Sequence, residues 1–387
     1  MAREEKPYRV YRGGRVKGKV PVTRPARVRS GTDGAPATPE YRGPGGGAPK
    51  RTRWGLRIGI GLAVLFVLLV VWGVAGWLSV ASGVSDANKR LSPDAKAQLA
   101  KQNGLLISHS TTVLMLGTDN AALASRAGDM HSDSIMLLRT DPSHHRLYYL
   151  SIPRDLQVPI PGHGTQKINA AFQLGGPALA LQTIHELTGL AINHVIVVNF
   201  NDFRDLIDAI GGIDVNVPRA IRSNRFDCPY ATARRCASWP GWRFAKGTQH
   251  MNGERALIYS RIRENVLNPA ENDITRGARQ QAVIDAVTSK LASFSTFLKS
   301  PFDGASYVKP LTTDLTTAQL LQLGWIKFRS SSSSAVHCRL GGDLGGGGNG
   351  SPSEDNPATL AMFMGTSAPQ PPTDPFGPGC VTGHTLQ

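Results

Sequence analysis

The chain has 387 residues, 41% of them hydrophobic, with 43 Lys and Arg against 28 Asp and Glu and a formal net charge of +15. Residues 1–57 hold 15 Lys and Arg against 4 acidic residues, a net of +11, whereas the remainder holds 28 against 24, a net of +4. Because most of the basic charge lies in this N-terminal stretch, the total charge does not indicate a nucleic-acid-binding domain, and we expect no nucleic-acid partner.

The first 53 residues are rich in Gly, Pro and Arg and contain few large apolar residues. Such a segment cannot bury enough surface to offset its ordering entropy, so we predict a disordered basic tail. The roles expected of it are to set membrane topology and to bind anionic lipid headgroups.

Residues 54–80 are predicted to form one transmembrane helix. The 23 positions Ile58 to Val80 carry no charge, which is enough for about 34 Å of helix. Arg51, Arg53 and Arg57 crowd the N-terminal side, so we expect a single-pass protein of the cell membrane with a cytoplasmic N-terminus and an extracytoplasmic domain. The alternatives are a cleaved signal peptide and a buried core helix. The stretch is longer than the apolar core of most signal peptides. It is also apolar on every face, whereas a core helix usually has a polar side that faces water.

All four cysteines lie on the predicted outer side, where disulfides persist. Four cysteines allow three pairings, of which Cys228 with Cys236 and Cys338 with Cys380 is the most economical. A zinc site is the alternative, although neither pair has the close spacing of metal-binding cysteines.

Residues 81–109 are polar and compatible with a helical stalk, residues 110–329 form the predicted catalytic domain, and residues 330–387 form a Gly/Ser/Pro-rich C-terminal segment. Strands are predicted at Val113–Leu116, Ser134–Arg139, Arg146–Ile152 and Val195–Phe200. Helices are predicted at Ile168–Thr188, Asp202–Ile210, Gly253–Arg263, Ile274–Leu291 and Thr317–Phe328. Because some strands are joined by short connections, we predict an α/β fold in which a mixed β-sheet has helices on both faces.

Two carboxylates adjoin predicted strands. Asp119 follows the apolar run that begins at Val113, and Asp133 precedes the next such run. If the strands are neighbours, both carboxylates can hold one Mg²⁺ together with substrate phosphate oxygens. The alternative is that each merely caps a turn.

Arg154 follows a buried type of strand in the motif Ser-Ile-Pro-Arg-Asp, so its side chain is predicted to emerge from the core. Lys167 and Asn169 are candidates for two further anion contacts. An Arg–Asp neighbour pair is usually a surface feature, and Lys167 and Asn169 could equally well only begin the following helix.

The stretch from Asp273 contradicts the usual pattern of helix capping. If Asp273 is the N-cap, Arg276 occupies a position where acids are preferred, and Arg279 and Gln280 follow in the first two turns. Free backbone amides at a helix N-terminus attract phosphate, and guanidinium groups add paired hydrogen bonds. The sequence therefore predicts that a phosphate-like anion binds there.

Arg261 and Arg263 close the helix that begins near Gly253, where cations are favourable without any ligand. Anion binding and capping are thus equally good explanations for this pair. The motifs of serine hydrolases, zinc proteases and dinucleotide-binding proteins are missing from the sequence.

Taken together, these motifs resemble the LytR-CpsA-Psr family of bacterial cell-wall glycopolymer transferases. The resemblance covers roughly residues 110–330. It rests on seven pieces in order: Leu-Gly-Thr-Asp119, Ser-Asp133-Ser-Ile-Met, Ser-Ile-Pro-Arg154-Asp, Lys167-Ile-Asn-Ala, Gly211-Gly-Ile-Asp-Val, Tyr-Ser-Arg261-Ile-Arg263 and Asp273-x-x-Arg276-x-x-Arg279-Gln280-Gln281.

The resemblance implies an outer domain that binds a polyprenyl-pyrophosphate-linked glycopolymer, with the lipid in an apolar groove between sheet and helices. By position, Asp119 and Asp133 would hold Mg²⁺, with Mn²⁺ as the alternative metal, and Asp273 would be the base. The diphosphate would be bound by Arg154, Arg261, Arg263, Arg276, Arg279, Gln280, Lys167 and Asn169, with Arg154 and Arg276 also catalytic.

The chain departs from the family pattern at His131, where the family usually has Arg, and in the segments 226–242 and 264–272, which are expected to form loops that alter polymer or acceptor choice. The Gly, Ala and Arg content is typical of an actinobacterial source.

The expected function is an extracytoplasmic phosphotransferase that moves a glycopolymer onto a peptidoglycan hydroxyl. The alternatives are a pyrophosphohydrolase that acts on the same substrate and a non-catalytic membrane-anchored envelope sensor. The sequence does not specify the polymer, the acceptor hydroxyl, the lipid length or the oligomeric state.

Overall fold

The computed structural model describes residues 54–119, 131–230, 232–269, 271, 273–345, 349–373 and 377–383, with only the backbone at 226, 273–275, 343–345 and 349. Residues 58–387 form one compact unit. Of residues 1–57 only the start of one helix, from Trp54, is described.

The helices are α1 (Trp54–Lys89), α2 (Pro93–Ala97), α3 (Ala170–Thr188), α4 (Phe200–Ala209), α5 (Ala233–Ala237), α6 (Gly253–Arg261), α7 (Asp273–Leu291), α8 (Phe294–Val308), α9 (Thr317–Arg329) and α10 (Asn356–Phe363). The strands are β1 (Thr112–Thr118), β2 (Ser132–Asp141), β3 (Arg146–Ile152), β4 (Gln157–Ile160), β5 (Gly164–Lys167), β6 (His194–Asn199), β7 (Ile213–Val217), β8 (Ile221–Arg222), β9 (Arg243–Phe244), β10 (Gly247–Met251), β11 (Thr312–Thr313), β12 (Val336–Arg339), β13 (Gly342–Gly345), β14 (Asn349–Pro352) and β15 (Gly379–Thr382).

The main sheet has seven strands in the order β11-β6-β1-β2-β3-β12-β15. Strand β1 is parallel to β6 and antiparallel to β2, while β3 is antiparallel to β2 and parallel to β12. The prediction of a mixed sheet is therefore confirmed. Its physical basis is that β2 and β3 are joined by a turn too short for a helical crossover.

The central strands are buried on both faces. In β3, Leu150 and Ile152 pack into a cluster with α3, whereas Leu147 and Tyr149 pack on the opposite face with Ile326 of α9. Alternate side chains of a strand point to opposite faces, so a strand covered on both sides must be apolar along its length. The predicted arrangement of helices on both faces of the sheet is confirmed.

Helix α1 is longer than the predicted span and continues to Lys89, through much of the expected stalk. Its apolar part has the length and composition needed to cross a membrane. Beyond that part the helix packs against the domain, where Val80, Val84 and Ala87 are buried beside Val308 of α8. The stalk is therefore joined directly to the folded domain.

Two helices differ from the sequence interpretation. Helix α3 is interrupted at Gly175 and Gly176, where Gly176 has a φ of 61°, a conformation that favours glycine. Helix α8 was not predicted at all, because Pro301 lies inside it and because its exposed face is apolar instead of polar. Ser293 caps α8 by accepting from the backbone N–H of Thr296.

The main sheet continues past residue 329, where sequence analysis ended the catalytic domain. Strand β12 pairs with β3, and β15 pairs with β12 with Cys338 directly opposite Cys380. Disulfides join Cys338 to Cys380 and Cys228 to Cys236, as the predicted pairing required. Part of the Gly/Ser/Pro-rich segment is thus built into the sheet.

Candidate active site

The C-terminal ends of β1 and β3 lie at the same edge of the main sheet as the start of β2, because β2 runs antiparallel to both. Asp119 directly follows β1, and its backbone N–H donates to the carbonyl of His131 at 3.1 Å. Asp133 lies near the start of β2, where the register with β1 shifts between Gly117 and Thr118. A bulge of this kind redirects side chains at a strand end. The two predicted carboxylates therefore lie on neighbouring strands at one edge.

Arg154 connects this edge to the turn after β3. Its Nη1 lies 2.6 Å from Oδ1 of Asp133, and its Nε lies 3.4 Å from Oδ2 of Asp155. Burial acts to raise the pKa of Asp155, but the hydrogen bond from Lys167 and the charges of Arg154 and Lys167 outweigh burial and hold the pKa below its ordinary value. Arg154 thus emerges from the core into a network of charges, as the sequence predicted.

Helix α7 brings two predicted residues to the same edge. Arg276 and Gln280 lie four residues apart and hence on one helix face. Arg276 is only 6% exposed, and it lines a narrow cleft of about 30 Å³ together with Arg154 and Gln280. Gly277 allows the close approach of α7 to β3, since a Cβ there would lie 2.6 Å from Oγ of Ser151. Two arginines that are 122 residues apart in sequence therefore line one cleft.

Helix α7 begins at Asp273, one residue before the predicted helix start at Ile274. The side chains of residues 273–275 lie outside the described part of the structure. The role of Asp273 as a base therefore remains a prediction.

Arg261 and Arg263 come from the end of α6 and the loop after it, and both line a second, larger cavity. Nη2 of Arg261 lies 3.9 Å from Oδ2 of Asp119. Its guanidinium also lies over the ring of Phe200, 4.4 Å from the ring centroid. With 49% of its side chain exposed, Arg261 is accessible to an incoming anion.

Three other predicted residues line neither cavity. Arg279 forms a 2.9 Å ion pair with Glu271 and donates to the carbonyl of Ile262, which ties the preceding loop to α7. Lys167 bonds Asp155 at 2.9 Å, and the backbone N–H of Asn169 donates to the carbonyl of Arg154. Contact of these three residues with an anion stays a prediction.

The larger cavity has a volume of about 620 Å³. Asp133, Arg276 and Gln280 line both this cavity and the cleft, so the two spaces adjoin. Most of its other walls are apolar side chains from β1, β6, α4, α6 and α7, which include Leu116, Val198, Leu206, Leu257, Val287 and Leu291. Apolar walls with guanidinium groups at the charged end fit a ligand in which an anionic group is joined to a hydrocarbon chain.

Two further residues that line these spaces were not predicted from the sequence. Asp227 lines the larger cavity, and its only sequence signal was its position beside Cys228 in the cysteine-bearing insertion. Arg339 is 3% exposed at the end of β12 and lines the cleft, while it also donates to the carbonyl of Gly377. Arg339 follows a run of serines outside the predicted domain, so its local sequence indicated a linker.

A divalent metal was expected between Asp119 and Asp133. Within the described residues no group of three or more His, Cys, Asp and Glu side chains is placed to hold a metal ion. Two carboxylates at one sheet edge still match Mg²⁺, which usually takes one or two protein carboxylates and completes its shell with substrate phosphates and water. The donor set therefore fits a metal that binds together with an anionic substrate.

Asp227 should make anion binding dependent on pH. Burial raises its pKa to about 6, against the opposing charges of Arg263 and Arg261, and its Oδ2 is buried without a hydrogen-bond partner among the described residues. Above pH 6 the ionised carboxylate repels an anion in the cavity; at a separation of about 8 Å and an effective dielectric constant of about 40, this costs about 1 kcal/mol.

We therefore expect the Kd for inorganic pyrophosphate, measured by calorimetry, to fall about fivefold between pH 7.5 and pH 5, after correction for the ligand's own protonation. Asp227→Asn should bind at pH 7.5 as tightly as the wild-type protein binds at pH 5. An unchanged pH profile in Asp227→Asn would contradict this assignment.

Comparison with known proteins identifies relatives of the chain. Residues 74–339 match the LytR_cpsA_psr family. The chain is 32% identical over 261 residues to the polyisoprenyl-teichoic acid–peptidoglycan teichoic acid transferase TagU of Oceanobacillus iheyensis, covering 65% of this chain and 74% of the relative. It is 30% identical over 268 residues to TagU of Bacillus mycoides, covering 68% of this chain and 80% of the relative. These sources do not test the actinobacterial origin expected from composition.

Solved structures show the same fold. Bacillus subtilis TagV superposes with a TM-score of 0.50 at 26% identity, covering 67% of this chain and 98% of that chain. The structure of TagT bound to LIIa-WTA superposes with a TM-score of 0.51 at 25% identity, covering 69% of this chain and 95% of that chain. With the family match spanning more than half of its length, the chain belongs to the LytR-CpsA-Psr family.

Proposed function

We propose that this protein transfers a glycopolymer from a polyprenyl-pyrophosphate carrier to a hydroxyl of peptidoglycan during cell-wall assembly. The observation that carries the proposal is the apolar cavity of about 620 Å³ whose lining includes Arg261, Arg263 and Arg276. A long hydrocarbon chain matches its walls, and a diphosphate matches its guanidinium groups. The names of the relatives, which are teichoic acid transferases, support the same reaction class.

The reaction requires no external energy source, because a diphosphate ester is already activated. The acceptor hydroxyl oxygen attacks the phosphorus next to the glycopolymer, and the bond from that phosphorus to the bridging oxygen breaks. Polyprenyl phosphate leaves with the bonding electron pair, and the hydroxyl proton passes to a base, for which Asp273 is the candidate. The product is a phosphodiester between glycopolymer and peptidoglycan.

The contribution of the protein to this step is positioning and charge neutralisation. Arg276 and Arg154, which line the cleft, would bind phosphate oxygens on which negative charge develops. Arg261 and Arg263 would bind the diphosphate from the α6 side of the cavity. Because Arg276 is held by the packing of α7 against β3, little reorganisation is needed when the substrate binds.

Asp119 and Asp133 would hold Mg²⁺, which when bound would neutralise charge on the diphosphate. In the structure each carboxylate has an arginine nearby, Arg261 for Asp119 and Arg154 for Asp133. The same arginines would turn to the phosphate oxygens when the carboxylates bind the metal.

Removal of divalent cations should therefore abolish transfer. We expect loss of product in excess EDTA and recovery on addition of Mg²⁺, and an increase of about tenfold in the Mg²⁺ concentration needed for half-maximal rate in Asp133→Asn. Asp214→Asn is the matched control, since Asp214 is exposed and pairs with His250. Full activity of the wild-type protein in EDTA would contradict the metal assignment.

Membrane topology follows from the same proposal. Helix α1 would cross the membrane with its arginine-rich N-terminal side in the cytoplasm, so that the domain and its disulfides lie outside. The partners are then the lipid-linked glycopolymer, the peptidoglycan acceptor and the membrane lipid around α1.

The discriminating experiment uses the full chain in lipid nanodiscs with a short-chain polyprenyl-pyrophosphate oligosaccharide, Mg²⁺ and peptidoglycan fragments. Mass spectrometry should detect polyprenyl phosphate and a phosphodiester-linked conjugate whose formation requires the acceptor. Equal release of polyprenyl phosphate with and without acceptor, and no conjugate, would identify a pyrophosphohydrolase instead. Binding without turnover in any condition would identify a sensor.

A further inference from the structure

Helix α8 exposes a row of large apolar side chains. Phe294 is 68% exposed, Phe297 53%, Leu298 48% and Phe302 83%. A contiguous apolar surface of this kind is unusual on a water-exposed domain. It marks a site of interaction with a protein or with a membrane. The contacts of α8 with α1 distinguish between a protein partner and a membrane.

The first half of α8 runs beside the apolar part of α1, and the two helices run in the same direction. The ring of Phe297 lies 4.8 Å from that of Trp72 in an edge-to-face contact. Further along, Ser300 packs on Gly76, where a Cβ would lie only 2.8 Å from its Oγ. The backbone N–H of Ala305 then donates to Oγ of Ser79.

The position of these contacts along α1 fixes their depth. Between Arg57 and Asp86 the helix has 28 residues without a charge, and a hydrocarbon core of about 30 Å needs about 20 of them. Wherever a window of about 20 residues is placed within that stretch, residues 66–77 lie inside it. Trp72 and Gly76 are therefore in the hydrocarbon region, and so are the α8 residues packed against them.

Close packing against α1 holds α8 at this depth in the membrane. Small residues let the two helices approach closely, since a Cβ on Gly83 would lie 2.6 Å from the carbonyl oxygen of Ala305 and one on Gly304 would lie 2.8 Å from Val80. This is the way helices associate inside membranes. The α8 surface therefore cannot leave the bilayer while α1 crosses it.

The polar groups at the start of α8 have internal partners. The Ser293 hydroxyl accepts from the backbone N–H of Thr296 and bonds to the Ser295 hydroxyl, and the Thr296 hydroxyl donates to the carbonyl of Lys290. Backbone and hydroxyl groups satisfied in this way are tolerated at membrane depth. The exposed Lys299 can extend its ammonium group to the headgroups.

We propose that the α7–α8 turn and α8 as far as Phe302 are immersed in the bilayer leaflet nearest the domain, with Phe294, Phe297, Leu298 and Phe302 in contact with lipid. The inference rests on α1 being the membrane span. Trp72 lies at least five residues inside any such window, so the contact implies a depth of about 8 Å or more, at least as deep as most interfacial helices.

Immersion also determines where the cavity lies relative to the membrane, a consequence that rests on the proposed function. Leu291, the last residue of α7, lines the apolar cavity and lies two residues before the cap of α8. The apolar end of the cavity thus adjoins the immersed turn, so a polyprenyl chain can pass from bilayer to cavity without crossing water.

The test uses the full chain in nanodiscs with an environment-sensitive fluorophore on a single introduced cysteine. The four native cysteines are in disulfides, so the label reacts only at the new residue. Phe297→Cys and Phe302→Cys report on α8, Phe66→Cys on the span, and Ser333→Cys on the exposed domain surface. Quenching by spin-labelled lipid is compared with quenching by aqueous iodide.

We expect probes at 297 and 302 to be quenched by labelled lipid and protected from iodide, as the probe at 66 is, with the reverse at 333. Iodide quenching at 297 and 302 equal to that at 333, with the probe at 66 still in lipid, would overturn the proposal. Iodide quenching at 66 would overturn the span and the proposal with it. None of these outcomes depends on transfer activity, so failure here is distinct from failure of the proposed function.

A second variant connects immersion to the substrate. Combined replacement of Phe294, Phe297 and Phe302 by Ser should lower the rate several-fold with a long-chain substrate in the bilayer. The rate with a short-chain substrate in solution should be unchanged. An equal loss with both substrates would indicate damage to the site and would contradict a role in lipid entry.

Discussion

Arg276→Ala is expected to lose transfer by about 10²- to 10³-fold while the protein remains folded. Arg276 is 6% exposed and lines both the cleft and the cavity, so its guanidinium lies where the diphosphate is proposed to bind. The loss should appear in kcat more than in KM, because the charge on the phosphate oxygens is greatest in the transition state. Rates are measured with the lipid-linked oligosaccharide and acceptor, and folding by thermal unfolding.

Two further variants separate charge from geometry. Arg276→Lys keeps the positive charge but loses the paired hydrogen bonds of a guanidinium, so we expect an intermediate rate. Arg329→Ala removes an exposed arginine that lines neither cavity and should leave the rate unchanged. Transfer by Arg276→Ala at the wild-type rate would reject the assignment of the diphosphate site to the cleft.

Removal of the Cys338–Cys380 disulfide is expected to cost about 4 kcal/mol of unfolding free energy. The bond joins facing residues of β12 and β15 across a sequence separation of 42, and both cysteines are fully buried. Without it the loop between residues 338 and 380 gains freedom in the unfolded state, and β15 loses its covalent link to β12. Thermal unfolding of Cys338→Ala/Cys380→Ala should show a midpoint lower by about 10 °C.

The second disulfide supplies the matched control. Cys228 and Cys236 are separated by only 8 residues, so their replacement by Ala should cost no more than about 2.5 kcal/mol. Transfer should also fall in the Cys338→Ala/Cys380→Ala variant, because Arg339 adjoins Cys338 and lines the cleft. A larger loss of stability from the 228–236 variant would contradict this account.

The central strands were predictable because their sequence is apolar along its length. Strand β3 was predicted with its observed bounds, and β1, β2 and β6 differ by a few residues at each end. Helices α6, α7 and α9 were predicted from apolar periodicity, and in the structure Asn252 caps α6 and Thr316 caps α9. These signals are local, so no knowledge of the remaining chain was needed.

The elements that escaped prediction are stabilised by distant parts of the chain. Helix α8 contains Pro301 and exposes phenylalanines, and its apolar residues make sense only beside α1, more than 200 residues away in sequence. Strand β12 follows a run of serines and is a strand because β3 lies beside it. A local pattern cannot reveal a partner that only the tertiary structure provides.

For the site, the sequence by itself determined which residue types were available, the order of the motifs and a stretch long and apolar enough to cross a membrane. Only the tertiary structure decided which charged residues converge. Arg276 faces the cleft, whereas Arg279, less than one helical turn away, binds Glu271 and Ile262. Asp227 and Arg339 join the site from segments that seemed to be loops or linkers. The physical reason is that convergence depends on strand order and on helix rotation against the sheet, which packing along the whole chain sets.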